Sequence, residues 1–240
     1  MTRLRPAPVL FATMFASQAS FLVLTAILPE LAGDFGVSTA TAGQARTLAA
    51  ATGGVTALAL GRLGRHLGVR ELLLLGLGLV AVGSLASALA PNLAAFVCAQ
   101  AAIGAAAAIL LSAGVAAAGE WAEAGERARV LSWALLGQPA AWVVGMPLIG
   151  VISQLDWRFA WLAVPLGASL VALPAVALQP GGAGRLPGAA EVTPAATEPV
   201  WRRPAVAQWA IGELMAYSGW GATLVYAGAL FIESYGLSAA

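Results

Sequence analysis

One ten-residue stretch decides the fold of this sequence: Gly61-Arg62-Leu63-Gly64-Arg65-His66-Leu67-Gly68-Val69-Arg70. It places three arginines and the only histidine between two long apolar runs. A charge at the centre of a bilayer costs about 2.5–3.5 kcal/mol on insertion scales, so this stretch cannot stay in hydrocarbon. We therefore predict a short turn in water at one membrane face. The positive-inside rule makes that face cytoplasmic.

The composition agrees with a chain that lies mostly in a membrane. Of its 240 residues, 60% are hydrophobic and 10% are charged, whereas about 25% are charged in soluble domains. The net charge of +1 gives no reason to expect a nucleic-acid partner. The single cysteine, Cys98, excludes an intrachain disulfide. The sequence predicts an all-α polytopic membrane protein.

Seven apolar segments follow one another along the chain, each about long enough to cross a bilayer as a helix. They cover residues 9–28, 41–63, 71–89, 93–119, 130–152, 158–178 and 205–231. The first segment could be a secretory signal, but its apolar run continues unbroken through 21–28, which favours a membrane helix. Residues 29–38 are expected to form an acidic outer loop.

Three regions are therefore predicted: a six-helix bundle over 1–178, a linker over 179–204 and a seventh membrane helix over 205–240. The linker is rich in Gly, Pro, Ala and Thr and has no apolar periodicity. Ten of the twelve arginines fall on the face assigned to the cytoplasm, with Arg46 and Arg158 as the exceptions. This asymmetry places the N-terminus and the linker in the cytoplasm.

Five motifs carry a family resemblance. They are Leu28-Pro29-Glu30-Leu31-Ala32 with Asp34-Phe35-Gly36-Val37-Ser38, Gly61-x-Leu63-Gly64-x-x-x-Gly68-x-Arg70, Gly145-Met146-Pro147-Leu148-Ile149-Gly150, Trp157-Arg158-Phe159-Ala160-Trp161 and Tyr235-Gly236-Leu237-Ser238. In this order and spacing they resemble the major facilitator superfamily, and its drug and sugar efflux (arabinose-efflux-permease-like) group in particular. The motif that begins at Gly145 resembles the glycine-proline motif of antiporters in that family. Members of that family have two six-helix halves with a solute site between them at mid-membrane. The resemblance implies the N-terminal half of such a fold plus one helix of an incomplete second half.

The resemblance also implies a function. It indicates a transporter of small drug- or sugar-like molecules, working by alternating access and coupled to protons, in a bacterial cytoplasmic (inner) membrane. A facilitator or uptake carrier is the alternative. A non-transporting receptor or accessory subunit is another. No cofactor is implied, and the expected partners are the lipid bilayer, a small solute and protons. We expect the chain to be incomplete and not to transport by itself.

The sequence departs from the family pattern at two positions that are expected to affect conformational change or proton coupling in the transporter. The family has an aspartate where Arg65 stands, and that aspartate pairs with basic groups to hold one conformation of the transporter. Arg65 cannot form such pairs, so this interaction is not expected here. The small residues Gly61, Gly64 and Gly68 still allow a tight reversal, and Arg70 can anchor the turn to anionic headgroups.

The second departure is on the fourth segment, where the family often has an arginine four residues before the glycine corresponding to Gly104. Gln100 stands there in this sequence. Gly104 is still suited to close helix packing. On the fifth segment, Gly145 and Gly150 are expected to admit a neighbouring backbone closely. Pro147 is expected to free a backbone carbonyl and loosen the helix.

Polar side chains within the segments are the candidate solute-binding groups. Gln18 and Thr25 share one face of the first helix, and Gln138 and Trp142 share one face of the fifth. Amide and aromatic groups together suit an amphipathic organic solute. Hydrogen bonding between helices is the alternative role for the same groups.

Few charged residues lie within the apolar segments. Glu213 lies about a third of the way into the seventh segment, and Tyr217 follows it at i+4. A carboxylate within a membrane is by default functional, so we predict that Glu213 binds solute or a proton. A place in the headgroup zone beside the linker arginines is the alternative. Arg46 is expected to extend to the outer interface, with a gating role as its alternative.

Other functional classes fit less well. The sequence contains neither His-Glu-x-x-His nor Gly-x-Ser-Gly, and its only histidine is in a predicted turn, so neither an enzyme nor a metal site is predicted. A seven-helix retinal photoreceptor is excluded because the Schiff base needs a lysine and this chain has none.

Overall fold

The computed structural model describes residues 4–63, 66–123, 125–181 and 203–235. Over these residues the chain forms seven long helices and no β-strand, which confirms the predicted all-α fold. The helices are α1 (Pro6–Asp34), α2 (Thr39–Leu63), α3 (Val69–Ala88), α4 (Leu93–Trp121), α5 (Arg127–Ser153), α6 (Trp157–Ala177) and α7 (Pro204–Tyr235). One π-helical turn interrupts α5 at Ala141–Gly145 and another interrupts α6 at Leu162–Leu166.

Five of these helices, α1, α3, α4, α5 and α6, are long and apolar enough to cross a membrane. The α2 helix has 25 residues, but two arginines and a run of Ala, Thr and Gly lower its hydropathy. The chain is therefore an integral membrane protein. The predicted linker over 179–204 lies almost wholly outside the described residues, so its structure stays a prediction.

Hydrogen bonds show which helix termini meet at each end of the bundle. At one end, the Arg70 side chain donates to the carbonyl oxygen of Ala177, and the Gln179 amide donates to the carbonyl oxygen of Leu4 over 3.1 Å. The N-terminus, the start of α3 and the end of α6 therefore lie together. We call this the Arg70 end.

The opposite end is held by a charged pair and by aromatic rings. Arg158 at the start of α6 contacts the Asp34 carboxylate at 2.9 Å, and the Trp157 indole donates to the same carboxylate over 3.2 Å. The rings of Phe35 and Phe96 each lie 5.8 Å from the Trp157 ring, centroid to centroid. We call this the Asp34 end.

The first helix is longer than the sequence predicted. It continues through Pro29 to Asp34, so the loop expected over 29–38 is wrong for its first six residues. A proline inside a helix removes one backbone hydrogen bond and costs about 3 kcal/mol in an isolated helix. Here Leu31 and Ala32 bury their side chains in the core, and that burial offsets the lost bond.

Two glycines allow neighbouring helix backbones to approach closely. A Cβ placed on Gly104 of α4 would lie 1.9 Å from the carbonyl oxygen of Ala49 on α2. A Cβ on Gly137 of α5 would lie 2.4 Å from the carbonyl oxygen of Phe11 on α1. No Cβ fits at such distances, so only glycine permits α2–α4 and α1–α5 to pack this closely.

The close backbone approach predicted for Gly145 and Gly150 is not found among the described residues. A Cβ on Gly150 would meet no atom within 4 Å. One on Gly145 would meet only side chains, the Phe15 ring at 3.5 Å and the Ala141 Cβ at 3.7 Å, which are ordinary contact distances. The sequence predicts the close contact of α5 at Gly145 and Gly150, whereas it occurs at Gly137. The glycine pattern alone does not show which side of α5 faces α1.

Candidate solute-binding cavity

A cavity of about 640 Å³ lies between α1, α2, α4, α5 and α7. Its size falls within the range of about 300–1,000 Å³ typical of small-molecule sites. The residues lining it are Ser17, Gln18, Phe21, Leu22, Thr25, Arg46, Ala50, Ala107, Leu111, Gln138, Pro139, Trp142, Tyr217, Trp220 and Gly221. Most of this wall is apolar or aromatic, with a few polar groups between the rings.

Five of the six predicted solute-binding residues line this one cavity. Gln18 and Thr25 lie seven residues apart, two helical turns, and therefore on the same face of α1. Gln138 and Trp142 line it one turn apart on α5, and Tyr217 lines it from α7. The structure thus brings together groups that the sequence could assign only to separate helix faces.

The seventh helix closes one side of the cavity. Its Trp220 ring lies 6.4 Å from the Trp142 ring of α5, centroid to centroid, at an interplanar angle of 57°. Its Tyr226 hydroxyl would lie 2.8 Å from a Cβ on Gly43 of α2, so the two helices touch there. Aromatic residues of α7 therefore complete the wall formed by α1, α2, α4 and α5.

The sixth predicted residue, Glu213, does not line the cavity. Its side chain is exposed, one turn before Tyr217 on α7. Other described carboxylates also lie on the long helices. Glu30 lies within the last turns of α1 and Glu120 within the last turn of α4.

The residue that the sequence analysis misplaced is Arg46. It does not extend to the interface but lines the cavity. Its Nη2 donates to the carbonyl oxygen of Phe21 over 2.6 Å and to the Thr25 hydroxyl over 2.8 Å. Its guanidinium also lies 4.9 Å from the centroid of the Phe21 ring. One signal was available, since α2 contains no acidic residue that could neutralise Arg46.

Local helix geometry positions the α5 groups. Pro139 cannot donate a backbone hydrogen bond, and the π-helical turn Ala141–Gly145 follows it directly. Pro147 lies just beyond that turn and cannot donate to the carbonyl of Val143. Such π-helical turns often occur at functional sites. The irregular stretch coincides with Gln138 and Trp142, which face the cavity.

The predicted turn residues form a separate group at the Arg70 end. Gly61 is exposed near the end of α2, and Gly68 is the N-cap of α3 with extended backbone. Arg70 donates to the last turn of α6, where the negative end of a helix dipole favours a cation. Gly64 and Arg65 lie outside the described residues. None of the described turn residues lines the cavity.

Gln100 has a packing role in the position where the family often has an arginine. Its side chain is buried, and its Nε2 donates to the Ser87 hydroxyl over 2.9 Å. This bond satisfies a polar group between α3 and α4, so Gln100 faces away from the cavity wall that α4 provides with Ala107 and Leu111.

Comparison with known proteins decides the family. The model of the Major Facilitator Superfamily matches residues 9–240. The chain belongs to the major facilitator superfamily. No curated protein matches the sequence. The fold of this superfamily supports the transport of solutes across membranes.

Solved structures agree with this assignment at the level of fold. A crystal structure of a mutant of the peptide transporter POT superimposes with a TM-score of 0.60 at 19% identity, covering 88% of this chain and 45% of that one. The same transporter in complex with sulfate superimposes with a TM-score of 0.60 at 18% identity, covering 97% of this chain and 47% of that one. The chain thus spans about half the length of the solved transporters it matches.

Proposed function

We propose that the cavity binds a small amphipathic organic solute, and that the intact transporter moves this solute across the membrane by alternating access. The observation that carries the proposal is the convergence of two amides, Gln18 and Gln138, with the rings of Trp142 and Trp220 around one cavity of about 640 Å³. The rings supply apolar contact area, and the amides can orient a polar group of the solute.

The irregular α5 supports the movement. Alternating access requires helices beside a central site to change their packing while the site persists. The π-helical turn and the two prolines give α5 weaker backbone hydrogen bonding beside Trp142 than a regular helix has. The solved transporters that the chain resembles are about twice its length. We therefore propose that the cavity is one half of a site shared with a second bundle.

The direction of transport proposed is efflux, coupled to protons, through a bacterial inner membrane with the Arg70 end in the cytoplasm. The support is the sequence motif on α5 that resembles antiporters and the concentration of arginines at one face. Uptake or facilitated diffusion is the second candidate. Transport into inverted vesicles with and without a proton gradient distinguishes them, since only proton-coupled efflux needs an acidic vesicle interior.

We propose Glu213 as the proton-binding group, because a carboxylate on a membrane helix is costly unless it has a function. In a full-length relative that carries the same glutamate, Glu213→Gln should abolish the pH dependence of transport and leave solute binding intact. The matched control is Glu126→Gln, at the exposed start of α5. Unchanged pH dependence in the Glu213 variant would exclude it.

Direct binding tests the cavity itself. The purified chain in lipid nanodiscs is dialysed against 4-phenylbutanol, with empty nanodiscs as the blank. Trp142→Ala should weaken the saturable binding about tenfold, equivalent to ~1.4 kcal/mol. Trp133→Ala, on the outward face of the same helix, should not change it. Equal losses in both variants, or no saturable binding by the unmodified chain, would contradict the proposal.

A further inference from the structure

The described part of the cavity wall contains one charge. Among the described residues that line it, Arg46 is the only ionisable side chain that carries a charge at neutral pH. The other polar groups in the wall are hydroxyls and amides, and none of them can neutralise a cation. The cavity is therefore positive as well as amphipathic.

No protein carboxylate compensates this charge within the described part of the chain. The ion pairs found there use other arginines: Arg129 with Glu126, and Arg158 with Asp34 and Asp156. A cation away from bulk water costs free energy unless it is paired. A carboxylate from another source would lower that cost.

The guanidinium is held in place with part of its hydrogen-bonding capacity unused. Both of its described hydrogen bonds come from Nη2, to Phe21 and Thr25 of α1. The N–H groups of Nη1 and Nε have no hydrogen-bond acceptor among the described residues. The Phe21 ring supports one side of the group. Arg46 is thus fixed at the cavity wall with donors to spare.

We propose that Arg46 binds the carboxylate of a singly charged organic acid whose apolar or aromatic body packs against Trp142 and Trp220. The inference rests on the proposed function of the cavity as a solute site and names the class of solute. One cation favours one negative charge, because a second would again lack a partner. A cationic solute would meet the repulsion of Arg46 in a region of low dielectric constant.

A purely structural role is the competing explanation. Arg46 joins α2 to α1, and a residue that only joins helices would affect all solutes alike when replaced. A residue that recognises a carboxylate affects acids selectively. The test therefore compares three probes of nearly equal shape, which are 4-phenylbutyrate, 4-phenylbutanol and 4-phenylbutylamine.

Binding of each probe is measured by equilibrium dialysis of the chain in nanodiscs made from uncharged lipid. The unmodified chain should bind 4-phenylbutyrate at least tenfold more tightly than the alcohol, and the amine most weakly. Arg46→Gln should weaken binding of the acid about tenfold or more and change binding of the alcohol less than twofold. Arg46→Lys should restore part of the preference for the acid, since it keeps the charge. Arg129→Gln, which removes an exposed arginine at the Arg70 end, is the control and should change nothing.

The outcomes separate this inference from the proposed function. If the acid and the alcohol bind equally to the unmodified chain, or if Arg46→Gln weakens both equally, the carboxylate site is refuted and the cavity remains a solute site. If neither probe binds saturably, both proposals fail. Retained binding of the alcohol by Arg46→Gln also shows that this variant is folded.

Discussion

Arg46 of α2 and Thr25 of α1 are joined by a hydrogen bond of 2.8 Å that ties the first two helices together beside the cavity. The two residues lie 21 positions apart in sequence, and periodicity within one helix cannot show that they meet. It fixes the direction of the only charge in the described cavity wall.

Removing the Thr25 hydroxyl, which accepts this bond, should therefore destabilise the contact between α1 and α2. Thr25→Val keeps the shape of the side chain but leaves an N–H of Arg46 without its partner, which should cost about 1 kcal/mol. We expect a lower melting temperature in detergent. Thr223→Val is the control, since among the described residues the Thr223 hydroxyl donates only to Gly219 of its own helix. Equal melting temperatures for Thr25→Val and the unmodified chain would show that the bond does not stabilise the fold.

The α2–α4 contact should be more sensitive to a single methyl group. Gly104→Ala would place a Cβ 1.9 Å from the Ala49 carbonyl oxygen, so the two helices must separate. Overpacking of this kind costs about 1–3 kcal/mol. Gly119→Ala in the same helix meets no atom within 4 Å and should leave stability unchanged or slightly higher. Thermal unfolding of both variants tests the contact, and an unaffected Gly104→Ala would show that α2 and α4 do not approach so closely.

Much of this architecture follows from the sequence, for simple physical reasons. Apolar segments bounded by charged turns give the helices, and helical periodicity alone places Gln18 with Thr25, and Gln138 with Trp142. Such periodicity shows which residues share a face but not what that face contacts. The direction of Arg46 could not be predicted, because a long flexible side chain can reach either the interface or a cavity.

Tertiary packing also overrides local signals. Pro29 predicts the end of a helix, yet α1 continues past it because Leu31 and Ala32 are buried. Gly145 and Gly150 form the visible motif on α5, but Gly137 is the glycine that contacts α1. In both cases tertiary packing, which the local sequence does not show, decides the outcome.

The pair at the Asp34 end should contribute measurably but modestly. Arg158 and Asp34 lie 2.9 Å apart with 33% and 43% of their side-chain surfaces exposed. A double-mutant cycle with Asp34→Asn and Arg158→Gln should give a coupling free energy of about 0.5 kcal/mol. The control cycle uses Glu126 and Arg129, which are more exposed and one helical turn apart. A coupling at the Asp34 end no larger than in the control would contradict this expectation.

The orientation of the bundle can be tested with single cysteines. Leu155 is exposed in the turn after α5, and Arg129 is exposed in the first turn of that helix, so they mark opposite ends. In a Cys98→Ala background, Leu155→Cys should react with a membrane-impermeant maleimide in intact cells. Arg129→Cys should react only after permeabilisation. The Cys98→Ala protein alone should not react, and the reverse pattern would invert the proposed topology.

The central claim is that solute binds between α1, α5 and α7, and a photoreactive benzyl alcohol carrying a diazirine locates that solute directly. After illumination of the chain in nanodiscs, mass spectrometry of the peptides should find saturable labelling at Phe21, Trp142 and Trp220, which surround the cavity. An excess of 4-phenylbutanol should abolish it. Labelling confined to outward-facing residues such as Leu58 and Val151, and unaffected by the competitor, would show that the cavity is not a solute site.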